Sequence, residues 1–460
     1  MTGKFSWILS LMMIFAVMKS AGQSQNDTSS LLYAFKNGKI SGHFRSFLMT
    51  TDNQDPLTDY YALALGGGLK YQTKTFKGFQ VGIGGFFIWN IASSDLAIPD
   101  EITNSLNRYE IGQFDQTDPS NKRDLQRLED FFIKYNFRKS FIRFGKQVIK
   151  TPFVNQQDGR MRPTGEQGFW AEINEVKKTK IELGWLSHIS PRGTLKWYRG
   201  SSSVGIYPAG VNMYGTKSDY KDNLASKGIA IAGITHSAGK RIKMQAWDHF
   251  IENVLNTVLF QADAEFEIKK DKKMIAAIQY IHQHAVNHGG NSDLSKTYFD
   301  PSQKSNVYGL SAGYRQKNST LKFNYSRITR HGRFLFPREW GREPLFTFLS
   351  RERNEGLGDV NAFSLNTDRK FFDQQLTIEF SAGYYSVPDV RNYRLNKYGM
   401  PSYYQFNIDV KYTFDGLMDG LNLELLYLYK ARQGHVYDEW KYVINKVNMH
   451  QLNFIMNYIF

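Results

Sequence analysis

Long segments of this chain alternate between apolar and polar residues, and this alternation restricts the possible folds more than any other feature. From 451 to 460 every even position is apolar, whereas most odd positions are polar. Segments 255–268, 404–414 and 420–431 show the same pattern. Successive side chains of a β-strand point to opposite faces. The alternation therefore predicts amphipathic strands, each with one apolar face and one polar face.

The predicted strands are long enough to cross a lipid bilayer. Several segments alternate for about 10 to 13 residues, whereas strands of a soluble β-sandwich usually have about 5 or 6 and a tilted membrane strand needs about 9 to 11. Aromatic residues near segment ends, such as Trp89, Trp185 and Tyr427, suit the girdles of membrane barrels. No run of about 20 apolar residues follows the N-terminus, which excludes a bundle of membrane helices. Strand length thus favours a membrane barrel over a sandwich.

Eighteen segments fit this description, with ends defined to within several residues. They lie at about 39–49, 61–73, 79–90, 129–138, 140–149, 168–177, 179–189, 227–236, 240–249, 255–268, 273–284, 306–316, 319–329, 360–369, 375–386, 404–414, 420–431 and 448–460.

The links between these segments alternate between long and short, and every long link falls on the same side of the predicted sheet. An outer-membrane barrel has an even number of strands, short periplasmic turns and long outer loops. Lipid also requires closure, because no sheet edge can stay unpaired in hydrocarbon. The sequence therefore predicts an all-β fold: a transmembrane antiparallel β-barrel of about 18 strands over residues 39–460, in the outer membrane of a Gram-negative bacterium.

The first 22 residues predict an export signal. Lys4 provides a basic start, residues 8–18 are apolar, and residues 20–22 are small enough for cleavage before Gln23. A single N-terminal anchor helix is the alternative, but the apolar run is shorter than the roughly 18 residues that a span requires. Residues 23–38 then form a short periplasmic segment before the barrel.

The barrel interior is predicted to hold an aqueous channel with charges of opposite sign on different walls. About 8 strands leave an interior filled by side chains, whereas 16 to 18 leave a water-filled lumen. The charged residues at the polar positions of the strands, which face the lumen, predict a basic wall and an opposing acidic wall. These walls would create a transverse electric field. The alternative for each residue is an ordinary solvated position. The basic residues are Arg45, Lys134 and Arg143, and the acidic residues are Asp263, Glu265, Glu379 and Asp409.

Two long links combine rigid prolines with arginines. In residues 150–167, Pro152 and Pro163 bracket Asp158, Arg160 and Arg162. Proline restricts the backbone, and guanidinium groups bind carboxylates through two charge-assisted hydrogen bonds. Such a loop could hold arginines in place to select solutes that carry a carboxylate.

The seventh outer link, residues 330–359, has the same character and contributes Arg338 and Arg342. The alternative is that both links are exposed basic loops that contact the phosphates of lipopolysaccharide.

Several sequence blocks resemble the OprD family of substrate-specific outer-membrane porins. They are FKNGKISGHFR at 35–45, GGGLKYQTKTFKGFQVGIGGF at 66–86, RFGKQVIKTPFVNQQDGRMRP at 143–163, QAWDHFIENVLNTVLFQADAEF at 245–266 and REWGREPLFTFLSRERNEG at 338–356. The resemblance implies an 18-stranded barrel whose third and seventh outer loops fold inward as a narrow eyelet, with a ladder of basic side chains that guides carboxylates. It places Arg160 and Arg162 on the inward loop and Arg143 on the wall. Links 91–128 and 190–226 depart most from the family pattern.

The resemblance implies passive diffusion of small carboxylates such as amino acids. It implies no enzyme activity, no cofactor and no nucleic acid partner. A general non-selective pore and a barrel-type lipid hydrolase are the alternatives. Adjacent Ser187 and His188 should point to opposite faces, and His282, His284 and His288 have poor spacing for a metal. The chain has no cysteine, which excludes disulfides and a lipoprotein anchor.

The C-terminal Phe460 resembles the signal that the outer-membrane assembly machinery recognises. Outer-membrane lipid and lipopolysaccharide are the expected surroundings, and the sequence leaves open whether the protein forms a homo-oligomer.

Overall fold

The computed structural model describes residues 30–157 and 159–460. The predicted signal peptide, residues 1–22, and Asp158 lie outside the described residues. The described chain forms a single sheet of 19 strands. The strands are β1 Lys39–Asn53, β2 Tyr60–Gln72, β3 Phe79–Ser93, β4 Leu125–Phe137, β5 Ser140–Gln147, β6 Gly165–Ile173, β7 Thr179–Ser190, β8 Tyr198–Arg199, β9 Ile229–Ala238, β10 Ile242–Ile251, β11 Leu255–Lys269, β12 Lys272–Ala285, β13 Lys304–Gln316, β14 Ser319–Ile328, β15 Val360–Phe371, β16 Leu376–Ser386, β17 Tyr403–Thr413, β18 Leu421–Arg432 and β19 Met449–Ile459.

The sheet closes on itself as a barrel. β1 pairs antiparallel with β2 on one side and with β19 on the other, and β7 pairs directly with β9. The two-residue strand β8 adds only to the outer end of β7, so 18 strands form the ring. The prediction of a closed antiparallel 18-stranded barrel is confirmed. Closure leaves no unpaired sheet edge in the hydrocarbon region.

Each predicted segment overlaps one barrel strand, but two details of the links differ from the prediction. Link 54–59 and link 252–254 are short although they lie at the outer end. The strict alternation of long and short links is therefore wrong, whereas the long links do all lie at that end. β4 also begins at Leu125, four residues before the predicted start, because the chain already pairs with β3 there.

The two faces of the barrel wall separate apolar from polar side chains over most of the ring. On β19, Phe454 is 42% exposed on the lipid side, whereas the adjacent Asn453 is fully buried on the inner side. On β17, Phe406 and Gln405 show the same contrast. The inner residues are buried because outer loops cover them.

The strands β1 to β3 are an exception to the polar inner face. Phe47, Met49, Ala62 and Ile88 occupy inward positions and are almost fully buried. A strand that packs against protein on its inner side needs apolar residues there, and the second outer loop supplies that packing partner.

The described range holds one short α-helix before β1. Helix α1, Leu31–Lys36, begins at Ser30, whose hydroxyl accepts a hydrogen bond from the Tyr33 backbone N–H at 3.0 Å. No helix in residues 30–157 and 159–460 is long and apolar enough to cross a membrane.

Candidate functional site

The seventh outer loop, residues 329–359, lies against the inner wall of the barrel. Side chains at inward positions of several strands bond to it. These strands are spread around the ring from β12 to β19, so the loop crosses the lumen. The contacts are Gln279 to the Pro344 carbonyl (3.1 Å), Thr347 to Ser326 (3.0 Å), Gln405 to the Ser350 carbonyl (2.8 Å) and Arg351 to Asn453 (2.9 Å).

The third outer loop, residues 148–164, also contacts the inner wall. The Thr151 hydroxyl lies 2.9 Å from Nε2 of His249 on β10, and Arg127 of β4 donates to the Pro163 carbonyl at 2.6 Å. Met161 packs in an apolar cluster with inward residues of β1 to β3. The loop therefore touches opposite parts of the barrel.

The third and seventh loops bind each other mainly through the backbone of the seventh. The Asn155 N–H donates to the Trp340 carbonyl at 3.0 Å, and the Asn155 amide donates to the Arg342 carbonyl at 3.1 Å. The Gln157 amide donates to the Arg338 carbonyl at 2.8 Å. These bonds join the two loops into a single unit inside the barrel.

Arginines from three loops converge at this unit and form what we call the arginine cluster: Arg160, Arg192, Arg351 and Arg353. Arg351 and Arg192 both approach the backbone at Gly159. Burial lowers the pKa of Arg160 well below its usual value, and the charges of Arg192 and Arg351 lower it further. Burial, Arg192 and Arg338 lower the pKa of Arg353 to about 9. The site thus concentrates positive charge away from water.

Arg162, next to this cluster in sequence, has no hydrogen-bond partner among the described residues. Its side chain is only 2% exposed, and none of its three guanidinium nitrogens bonds to a described residue. Burial and the charge of Arg127 lower its pKa to about 9. A buried unpaired cation is costly, and a carboxylate is the group that would satisfy a guanidinium best.

Arg127, in contrast to Arg162, forms several hydrogen bonds, and the sequence had not indicated it as a functional residue. It forms an ion pair with Glu129 at 2.9 Å and donates to Pro163 of the third loop and to Ser190 at the end of β7. Its inward parity is visible in the sequence, but the predicted strand began at 129 and left Arg127 in a loop. Its role is to fasten the third loop to the wall.

The predicted basic wall residues Lys134 and Arg143 lie together. They are directly opposed on β4 and β5, and neither has an ion pair with a described carboxylate. Lys134 Nζ lies 4.2 Å from the Phe141 ring centre, and Arg143 Cζ lies 4.7 Å from that of Phe132. Arg45 is also on the inner face, where it donates to Asn457 at 3.1 Å.

The predicted acidic wall is largely neutralised by neighbouring cations. The alternation pattern identifies the carboxylates but not the cations that pair with them, so the net negative charge of this wall is smaller than the sequence predicts. Lys411 bridges the cross-strand neighbours Glu379 (3.3 Å) and Asp409 (2.8 Å). Glu265 pairs with Lys273 (3.0 Å) and Arg315 (2.5 Å), and Asp263 accepts from Gln261 (3.0 Å).

Replacing Lys411 with methionine should shift the channel toward cations. The change leaves the carboxylates of Glu379 and Asp409 without their counter-ion on the lumen wall. We expect the reversal potential in a salt gradient across a planar bilayer to move in the cation-selective direction. Lys273→Met is the matched control, because Glu265 keeps Arg315 as a partner. Equal reversal potentials for both variants would exclude a role for this wall in ion selectivity.

Arg338 and Arg342 differ from the prediction in their surroundings. Arg338 is half-buried among loops, where its Nε lies 3.4 Å from Glu355 and its guanidinium stacks on Tyr398 at 4.2 Å. Burial lowers the pKa of Arg338, but Tyr398 and Glu355 raise it more, and the net shift is upward. Arg342 is exposed, and its backbone N–H bonds to Asn155 at 3.1 Å.

The outer loops are joined by a buried ammonium group. The Lys397 Nζ lies 4.8 to 5.2 Å from the ring centres of Tyr220, Tyr298 and Tyr398, which come from three different loops, and it approaches Glu355 at 3.7 Å. Burial lowers the pKa of Lys397 to about 8 despite Glu355. We call this arrangement the tyrosine cage.

One expectation about enzyme-like residues is wrong. Ser187 Oγ lies 3.0 Å from His188 Nδ1 instead of on the opposite face. The register of β6 and β7 shifts here, because Gly168 pairs with Leu186 and Gln167 with His188. The bulge leaves Ser187 as the extra residue and turns both side chains together.

The histidines that were considered for a metal are arranged as neighbours on one strand face. The rings of His282 and His284 lie 5.4 Å apart, and His282 bonds to Asn306 at 2.8 Å. Across residues 30–157 and 159–460, no three His, Asp or Glu side chains come together as metal ligands.

The closed barrel, its apolar exterior and its loop-lined interior define an integral outer-membrane channel of the porin class. The model of the OprD family of outer membrane porins matches residues 107–347. The chain belongs to this family, and the resemblance seen in the sequence is confirmed.

Solved structures of several porins share this fold. OccAB1 of Acinetobacter baumannii has a TM-score of 0.73 and 14% identity, over 95% of this chain and 99% of that chain. OccK9 (OpdG) of Pseudomonas aeruginosa has a TM-score of 0.72 and 12% identity, over 93% and 99%. OpdK of Pseudomonas aeruginosa, solved with vanillate, has a TM-score of 0.70 and 14% identity, over 93% and 99%. A search of curated proteins finds no match.

Proposed function

We propose that this porin passes small carboxylate-bearing solutes, such as amino acids, by passive diffusion through a constriction formed by the third and seventh loops. The observation that carries the proposal is the pair of Lys134 and Arg143, which oppose each other on the inner wall and stay partly exposed there. The arginine cluster supplies further fixed positive charge within the loops. A carboxylate that enters would exchange its water for guanidinium groups already held in place.

Lys134 and Arg143 extend this positive surface along the wall. Neither forms an ion pair with a carboxylate of the described residues, and aromatic rings support both side chains. A solute can then move between several weak sites, which lets it leave as well as enter. OpdK, which shares the fold, was solved with vanillate, itself an aromatic carboxylate.

The proposal includes no catalytic step. Within the part of the chain that the structure describes, no hydrogen bond from a third group orients His188 of the Ser187 and His188 pair as a base, as nucleophilic catalysis requires. We also propose that residues 1–22 are a signal peptide, that the C-terminal Phe460 is read by the assembly machinery, and that lipopolysaccharide surrounds the outer half of the barrel.

Liposome swelling tests the function. Vesicles that contain the purified protein should swell faster in amino acids and organic acids than in neutral sugars of the same size. Protein-free vesicles and vesicles with a heat-denatured sample provide the baseline. Equal rates for carboxylates and sugars of matched size would leave a general, non-selective pore.

A further inference from the structure

The second outer loop also enters the barrel. Its residues 107–116 include the short 3-10 helix Glu110–Gln113, which is completely buried. Three apolar side chains of this segment, Tyr109, Ile111 and Phe114, pack into one cluster with the barrel wall and the third loop. The cluster partners include Phe47 of β1, Ala62 of β2, Ile88 of β3, Leu125 of β4 and Met161 of the third loop. The segment therefore fills the lumen in front of β1 to β4.

Polar contacts fix the segment on several sides. Buried Glu110 accepts hydrogen bonds from Thr51 of β1 at 2.5 Å and from Asn107 at 2.6 Å. The Tyr109 hydroxyl bonds to the Asn445 carbonyl of the last outer loop at 3.2 Å. Both Glu110 oxygens are thus satisfied by neighbours, and the carboxylate serves as an anchor. The segment is tied to the wall and to another loop at once.

The same segment presses directly on Arg160 of the arginine cluster. A Cβ atom added at Gly112 would lie 2.6 Å from Arg160 Nε. The charge of Glu110 also raises the pKa of Arg160, against the larger lowering by burial. Gly112 is therefore the surface against which the Arg160 guanidinium rests.

We infer that residues 107–116 form a third wall of the constriction and fix the position of Arg160. This wall limits the width of the channel, and its glycine holds one guanidinium where a carboxylate passes. The positioning of Arg160 for a carboxylate rests on the proposed function, whereas the limit on channel width does not. Neither the hydrophobic pattern nor the positions of prolines and arginines in the link 91–128 had indicated that it enters the lumen.

Gly112→Ala tests the contact with Arg160. The added methyl group displaces the flexible end of that side chain and leaves the backbone in place. We expect the carboxylate-to-sugar ratio in liposomes to fall several-fold while the barrel still migrates as folded protein in unheated gel samples. Gly200→Ala is the matched control, since its methyl group would meet no atom closer than 3.8 Å. An unchanged ratio in Gly112→Ala would overturn the role in positioning Arg160.

A second variant tests the width. Replacement of residues 107–116 by Gly and Ser residues of equal number keeps the loop length and removes the packing side chains. Single-channel conductance should rise at least about twofold, and larger neutral sugars should enter liposomes. Unchanged conductance in a folded barrel would show that residues 107–116 do not narrow the channel. If the native protein shows no carboxylate preference, the proposed function fails, whereas this conductance measurement still decides whether the loop narrows the channel.

Discussion

Arg162→Met should make the protein more stable and the channel less selective. Arg162 is buried and bonds to no residue within the described part of the chain. Replacing a buried ion by an apolar residue of similar volume is neutral or stabilising by about 1 to 4 kcal/mol. Loss of the guanidinium removes charge-assisted bonds to a passing carboxylate, each with a contribution of about 1.5 to 3 kcal/mol. We therefore expect a higher unfolding temperature together with about a tenfold lower apparent affinity for carboxylates.

The two effects can be measured separately. Unfolding temperature is read from the gel shift of heated samples, and affinity from the block of ion current by added carboxylates. Arg127→Met should have the opposite effect on stability, because it leaves half-buried Glu129 without its ion pair and releases the third loop. An Arg162→Met channel with the native carboxylate affinity would show that this arginine lies off the solute path.

Glu355→Gln should loosen the outer loops. Glu355 faces both Arg338 (3.4 Å) and Lys397 (3.7 Å) and accepts a hydrogen bond from Tyr398 at 2.9 Å. Glu355 and Lys397 are buried, whereas Arg338 and Tyr398 are half-buried, and breaking a buried ion pair by removing one partner costs about 3 to 5 kcal/mol. We expect noisy, larger single-channel currents and rapid protease cleavage within the outer loops, while the barrel itself stays folded.

Glu439→Gln provides the control for loop stability. Glu439 pairs with Arg391 at 2.8 Å at an exposed position, and exposed ion pairs contribute only about 0 to 1 kcal/mol. Its currents and protease resistance should match the native protein. If Glu355→Gln also matches the native protein, the tyrosine cage does not hold the loops in place.

The barrel could be predicted because its pattern is local. Side-chain alternation is a property of each strand alone. Because lipid surrounds the barrel, the outward-facing positions are apolar along the length of a strand. The bulge at Ser187 could not be predicted in this way, because it depends on how Gly168 of the neighbouring strand pairs with Leu186. The apolar inner face of β1 to β3 escaped notice for a similar reason, since its packing partner is far away in sequence.

The site was predictable in residue type but not in arrangement. Arginines between prolines indicated a rigid basic loop, and the structure places Arg160 and Arg162 deep inside the barrel. The sequence could not show that Lys411 neutralises Glu379 and Asp409, because parity gives the face of a side chain but not its partners. It also could not separate Arg338, which is ion-paired, from Arg162, which has no ion pair in residues 30–157 and 159–460.

The bonds between the third and seventh loops have a consequence for how such channels diversify. The acceptors at residues 338, 340 and 342 are all peptide carbonyls, which every amino acid provides. Side chains at these positions can therefore be exchanged without losing the link. Point substitutions at these positions, in evolution or in protein engineering, can thus change which solutes pass while the backbone link between the two loops stays the same.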